Sequence, residues 1–114
     1  MSRVDDPAAS EQRYYDLQLR RVFDCALYHK QVVAFCRCRH SGTFDPHQLW
    51  WRFYRKRWND NLREVGNRLY CSQCWRTRFM KVRPVSVTHT TEPATITLPW
   101  PDEREWKRAV SRYR

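Results

Sequence analysis

Two glycines in 114 residues exclude a good deal. Phosphate-cradling loops are glycine-rich turns whose backbone N–H groups close on the anion, and this chain has no stretch that could form one. An iron–thiolate centre is disfavoured on the same ground, because it wants glycines around its sulfurs so that backbone donors can reach them. Long apolar runs are missing too: none approaches the roughly 20 residues needed to span a bilayer, so no membrane partner is expected. Neither H-x-E nor H-E-x-x-H occurs, the signatures of zinc deaminases and hydrolases that keep one coordination position open. His29, His47 and His89 have no acidic partner placed by a recognisable motif. The expectation is a protein that is not an enzyme and takes no small-molecule substrate. Met1 to Ser10 is polar and acidic, unlike a secretory signal, which predicts a cytoplasmic protein with reduced thiols.

Against that background the cysteines stand out. Four of the five fall in two close pairs, Cys36-x-Cys38 and Cys71-x-x-Cys74, with His40 two residues beyond the first pair. Thiolates offered two by two from distant parts of a chain are the usual way to hold one tetrahedral Zn²⁺, and such a site closes a domain too small to hold itself together. A lone C-x-x-C would leave redox chemistry open; two matched pairs favour a metal over buried, redox-active or disulfide-bonded thiols. The expected ligands are Cys36, Cys38, Cys71 and Cys74, with His40 beside them or replacing Cys36 or Cys38. Arg37 and Arg39 would offset the negative charge of a four-thiolate centre. Cys25 has no partner in sequence and reads as a core thiol.

Charge is as unevenly spread as cysteine. The formal net charge is +10, and residues 37–83 hold twelve basic side chains against Asp45, Asp60 and Glu64. The segments before and after are close to neutral. A positive field concentrated in this way favours a polyanion. Aromatic residues make 15% of the chain, with six Trp, and several are interleaved with the cations. Arg52, Arg55, Lys56, Arg57, Arg63 and Arg68 are candidate phosphate contacts, while Trp50, Trp51 or Tyr54 could stack on unpaired bases. The competing reading is a solvated basic face over an aromatic core, and the helical spacing assigns Trp50, Phe53 and Trp58 to that core. Trp51, Trp75 and Trp100 are freer to be contact residues.

Along the chain, Ser10 is placed to cap a helix running to about Tyr28, although alternate apolar positions from Tyr15 to Leu27 would also suit a strand. Gln31–Phe35 is β-branched and apolar, a short strand leading into Cys36. Ser41 to Thr43 reads as a loop. Asp45-Pro46 is a helix start, with a capping carboxylate before a proline at the first helical position. The helix that follows runs over His47–Trp58, aromatic on one face and basic on another. Asn59 or Asp60 is expected to cap a second helix through Leu62, Val65 and Leu69. Arg76–Val82 alternates as a strand does, with Val85–Thr88 as an extension. Glu92–Pro101 reads as an extended connector, and Asp102-x-x-Glu105 as a capping box before a C-terminal helix.

Several of these pieces together resemble a group of small bacterial zinc-ribbon-like proteins, largely of unassigned function. The matching stretches are Phe35-Cys36-Arg37-Cys38-Arg39-His40, Phe44-Asp45-Pro46, Leu62-Arg63-Glu64 and Leu69-Tyr70-Cys71-Ser72-Gln73-Cys74. They lie within about residues 31–83, and Arg39 and Trp75 depart from the pattern where the group favours glycine. What the resemblance implies is a zinc ribbon and little more. The expected fold class is α+β: a zinc-ribbon-like domain over residues 31–90 with two helices between the cysteine pairs. An N-terminal arm and helix (1–30) and a Pro-rich connector with a short C-terminal helix (91–114) extend it. The expected function is nucleic-acid binding, to RNA or DNA, as an accessory or regulatory factor with a structural Zn²⁺. The alternative is a protein-interaction module or subunit of a larger assembly, anchored by Trp51, Trp75, Trp100 and Trp106.

Overall fold

The strand expected at Gln31–Phe35 becomes β1, the middle of the sheet. The computed structural model describes residues 19–113, and all that follows concerns those residues. Antiparallel to β1 on one side lies β2 (Ser41–Phe44), with Val32 opposite Phe44 and Phe35 opposite Ser41. On the other side lies β3 (Ser86–Thr90), with Val32 opposite His89 and Phe35 opposite Ser86. The order is β2-β1-β3. Two expectations are corrected here. Ser41 to Thr43 has the composition of a loop, yet it pairs as β2, because its backbone groups find partners on β1. Gly42 makes this compact: a Cβ there would stand 2.5 Å from Ile96 Cδ1, where the connector crosses β2. Thr95 and Ile96 both donate their N–H to Thr43 C=O, at 2.8 and 3.0 Å.

The second correction concerns residues 76–82, which are not a strand. Ser72–Arg78 is a helix, and the chain then runs without regular structure to β3, which spans Ser86–Thr90 rather than beginning at Val85.

In chain order the helices are α1 (Val22–Leu27), α2 (Pro46–Lys56), α3 (Leu62–Val65, continued as a 3₁₀ turn over Gly66–Arg68), α4 (Ser72–Arg78) and α5 (Glu103–Tyr113). Asp45 caps α2 as expected: its Oδ1 accepts the N–H of His47 at 2.8 Å and of Gln48 at 3.2 Å, with Pro46 at the first position. The helix ends at Arg57 in the left-handed region (φ 59°), where Trp58 N–H closes on Phe53 C=O at 2.9 Å. Glycine is the usual residue for that turn. Here four left-handed positions (His29, Arg39, Arg57 and Phe79) are all filled by other residues, and neither glycine has a positive φ.

The expected helix from Ser10 is met only in part. Its start lies outside the described residues; Leu19 and Arg20 are not helical, and Arg21 is extended before α1 begins. The competing strand reading fails over Val22–Leu27, which is helical. α1 is started both locally, by Asp24 Oδ2 accepting the N–H groups of Arg20 (3.1 Å) and Arg21 (3.0 Å), and by a residue far away in sequence. Asp60 accepts Phe23 N–H on Oδ2 (3.1 Å) and Arg21 Nε on Oδ1 (2.9 Å), and its carbonyl accepts Val22 N–H (2.9 Å). The expected role of Asn59 or Asp60 at the second helix falls instead to Asn61, whose side chain accepts Arg63 N–H at 3.0 Å.

One apolar cluster gathers these pieces. Leu19, Val22, Phe23 and Cys25 meet Val32, Phe44, Leu49, Trp50, Phe53 and Val65. The C-terminal arm closes over them: Leu98 N–H donates to the buried Gln48 side chain at 2.8 Å, and Ile96, Leu98, Trp106 and Val110 pack on the cluster. Trp106 fits between Phe23, Trp50 and His47, with ring centroids 5.4, 5.2 and 4.8 Å away. Asp102 starts α5 by accepting the N–H groups of Arg104 and Glu105.

Candidate metal centre

Cysteine builds a second, smaller cluster. Cys36, Cys71 and Cys74 are buried together, with Cys38 and Val82 against them. The four sulfurs lie within 4.8 Å of one another; Cys36 Sγ is 3.7 Å from Cys74 Sγ, and Cys38 Sγ is 3.6 Å from Cys71 Sγ. A disulfide would bring two sulfurs to about 2.05 Å. A tetrahedral metal with sulfur bonds of about 2.3 Å separates its ligands by about 3.8 Å. The two short contacts match that edge, and each joins one sulfur from either pair. Four thiols so placed could hold one metal ion.

Local structure explains how each pair reaches the site. β1 delivers Cys36, and a tight turn follows in which Arg39 N–H donates to Cys36 C=O (3.0 Å) and Cys36 N–H to His40 C=O (2.9 Å). Arg39 adopts φ 75° to complete it. This folds the chain back, so Cys36 Sγ takes the backbone N–H of Cys38, and Cys38 Sγ that of His40. At the second pair, Cys71 is the N-cap of α4 and its Sγ accepts Cys74 N–H at 3.4 Å. A cysteine does here what serine or aspartate does at other helix starts. Cys71 N–H is tied to Val82 C=O at 2.8 Å, which anchors the strand-less return after α4.

The thiols are electrostatically unequal. The N–H of Cys38, more than any other neighbour, draws the Cys36 thiol down to about 7, whereas burial first and then the surrounding sulfurs push Cys74 up to about 12. Four negative sulfurs cannot coexist in this space without a cation, so a metal would have to displace protons as it enters. Cys25 stands apart in the apolar cluster, fully buried, its thiol raised to about 12 by burial and then by Asp24 and Asp60. It behaves as the core thiol expected.

The four-sulfur grouping does not extend to His40. Its Nε2 lies 3.5 Å from Ser72 Oγ, next to the site. The cations expected at a nucleic-acid surface, Arg52, Arg55, Lys56, Arg57, Arg63 and Arg68, are all exposed, and none is ion-paired among the described residues. Some converge. Lys56 and Arg68 sit over the Trp58 ring at 5.9 and 4.8 Å, and Arg55 over Trp51 at 5.6 Å. Arg52, Arg55 and Lys56 line a depression of about 310 Å³ with Trp51 and Pro99. Trp50 and Phe53 belong to the core, as expected, while Trp58 is half-buried against Phe53.

Missed from the sequence was an exposed aromatic group beside the four-cysteine cluster. Tyr70, Trp75 and Phe79 make a chain of rings, with centroids 6.2 and 6.3 Å apart. Reading residues 76–82 as a strand scattered them. The signal that could have found them is the four-residue spacing Cys71, Trp75, Phe79, which is helical. The chain matches no protein-family profile, and no curated protein or solved structure is significantly similar to it.

Proposed function

We propose that this chain is a small zinc-binding protein of the zinc-ribbon-like kind, in which the metal is structural and a basic surface binds nucleic acid. The observation that carries the zinc reading is the four-sulfur cluster, whose short contacts suit a tetrahedral thiolate shell. Thiolates are soft ligands and select zinc over the hard cations that prefer oxygen. A shell of four protein ligands leaves no position for water or substrate, which suits support rather than catalysis. The metal would hold the turn after β1 and the start of α4 as one piece.

Nucleic acid is supported by the unpaired cations on α2, α3 and the turn after them. If all six engage a single strand, affinity falls roughly 300-fold between about 50 and 200 mM salt. A protein partner would instead be anchored by exposed tryptophans. Of those expected, Trp106 is occupied inside the chain, while Trp100 is 65% exposed.

One preparation tests the reading. The purified chain is expected to carry one zinc, read by elemental analysis, and to bind a 12-nucleotide oligomer with the steep salt dependence above. A metal-free, folded chain would contradict the first half; salt-insensitive or absent oligomer binding would contradict the second.

A further inference from the structure

The surface around α2 has charge but few free rings. Trp50 is buried, Trp58 has Lys56 and Arg68 on it, and Trp51 carries Arg55. The cysteine end has the opposite character. Tyr70, Trp75 and Phe79 are 50, 41 and 78% exposed, and they pair ring to ring in order: Tyr70 just before α4, Trp75 on it and Phe79 at the residue that ends it. Phe79 is held in the left-handed region at φ 56°, where a bulky residue is rarely found. At that turn the ring is the least covered of the large apolar side chains among the described residues.

Charge says what covers it. Arg76, Arg78, Lys81 and Arg83, neighbours of these rings in sequence, are all exposed, and Lys81 lies over Tyr70 at 5.5 Å. No Asp or Glu occurs between Glu64 and Glu92. The occupant is therefore anionic as well as able to lie against aromatic faces. Unpaired bases joined by phosphates meet both demands, whereas a duplex hides its base faces.

We infer that Tyr70, Trp75 and Phe79 form a stacking platform for single-stranded nucleic acid, separate from the charged α2 surface. Bases lie on the rings while Arg76, Arg78, Lys81 and Arg83 neutralise the phosphates between them. This rests on the nucleic-acid reading above and adds the strandedness and the residues that sense it. The metal centre contributes by position: Cys71 and Cys74 fix the start of the helix that carries Trp75.

The test uses the full-length, metal-loaded chain and fluorescently labelled 12-nucleotide probes: dT12, rU12 and a 12-base-pair duplex. Binding is followed by anisotropy for the wild type, Trp75→Ala, Phe79→Ala and an Arg52→Glu/Arg55→Glu variant. Both rings are exposed, so circular dichroism is expected to stay unchanged in the alanine variants. Each is expected to weaken binding of the single strands by about tenfold or more, with duplex affinity and salt slope kept. Comparable losses for dT12 and rU12 would mean that stacking alone is read; a loss confined to one would assign the platform to that nucleic acid. If the alanine variants bind like the wild type while the double Glu variant does not, the platform is wrong and the wider reading survives. If the wild type binds no oligomer, both fail. Capture of vesicles containing phosphatidylserine, lost in Phe79→Ala while dT12 binding is unchanged, would overturn the platform in favour of a lipid surface.

Discussion

The two ends of this molecule are held together by different means. At one end, α1, α2, α3, β1 and the C-terminal arm share an apolar cluster in which Val22, Val32, Leu49, Phe53 and Val65 are wholly buried. At the other, from Gly66 to Val85, the sole fully buried residues are Cys71 and Cys74. Ordering a backbone costs about 1–2 kcal/mol per residue, and burial of apolar side chains is the main term that offsets it. The first end has that term in abundance. The second has almost none, and its aromatic rings, the natural source of buried area, face solvent instead. A metal held by the four thiolates would supply what is missing, since its binding energy would appear directly as folding energy. The free rings would then follow, because an end stapled by a metal need not bury its tryptophan.

Removing a sulfur should separate the two ends most strongly. Cys74→Ser is expected to abolish metal binding, which in structural zinc sites amounts to about 10 kcal/mol or more. Amide exchange would show protection lost over residues 66–85 and around the turn at residues 36–40, while α2 stays protected. Loss of the whole fold would show instead that the apolar end depends on the metal too. Phe53→Ala tests the other end. It should cost about 3–5 kcal/mol by thermal or denaturant unfolding and leave one metal per folded chain.

Acid should act on the cysteine end before the apolar one. Metal entry displaces thiol protons, so affinity rises with pH by a power of ten for each proton released. Above about 7 Cys36 is already a thiolate and releases none; below it, Cys36 adds one proton and the slope steepens. Competition with a chromophoric chelator across pH 5.5–8.5 reads this break, and a slope constant through pH 7 would contradict the assignment. Asp60→Ala should cost about 1–3 kcal/mol, because the N–H of Phe23 and the side chain of Arg21 lose their acceptor. The smallest effect is expected at Arg57→Gly, which relieves a left-handed residue at the end of α2 and should stabilise by up to about 1 kcal/mol.

These contrasts also explain what could be read in advance. β1, the Asp45 cap, the start of α5 and the grouping of the four thiols were legible because each is written locally or in spacing. The alternation of Arg76–Val82 misled, because α4 is started by the Cys71 sulfur, a constraint of the cysteine cluster rather than of helix propensity. Ser41 to Thr43 looked like a loop until its non-local partner on β1 was in place. Asp60 was visible as a capping residue, but the helix it starts lies some forty residues earlier in the chain. Such long-range caps leave no mark in a window of sequence. The platform was hidden for the same reason as α4.

If a metal at the four thiols holds the cysteine end together, that end has no structure of its own without it. Hydrogen exchange read residue by residue, before and after the metal is stripped with a chelator under reducing conditions, tests it most directly. Protection is expected to vanish from residues 66–85 and from the turn at residues 36–40, while α2 and β1 keep theirs. Unchanged protection at Cys71 to Arg78 in the stripped protein would contradict it.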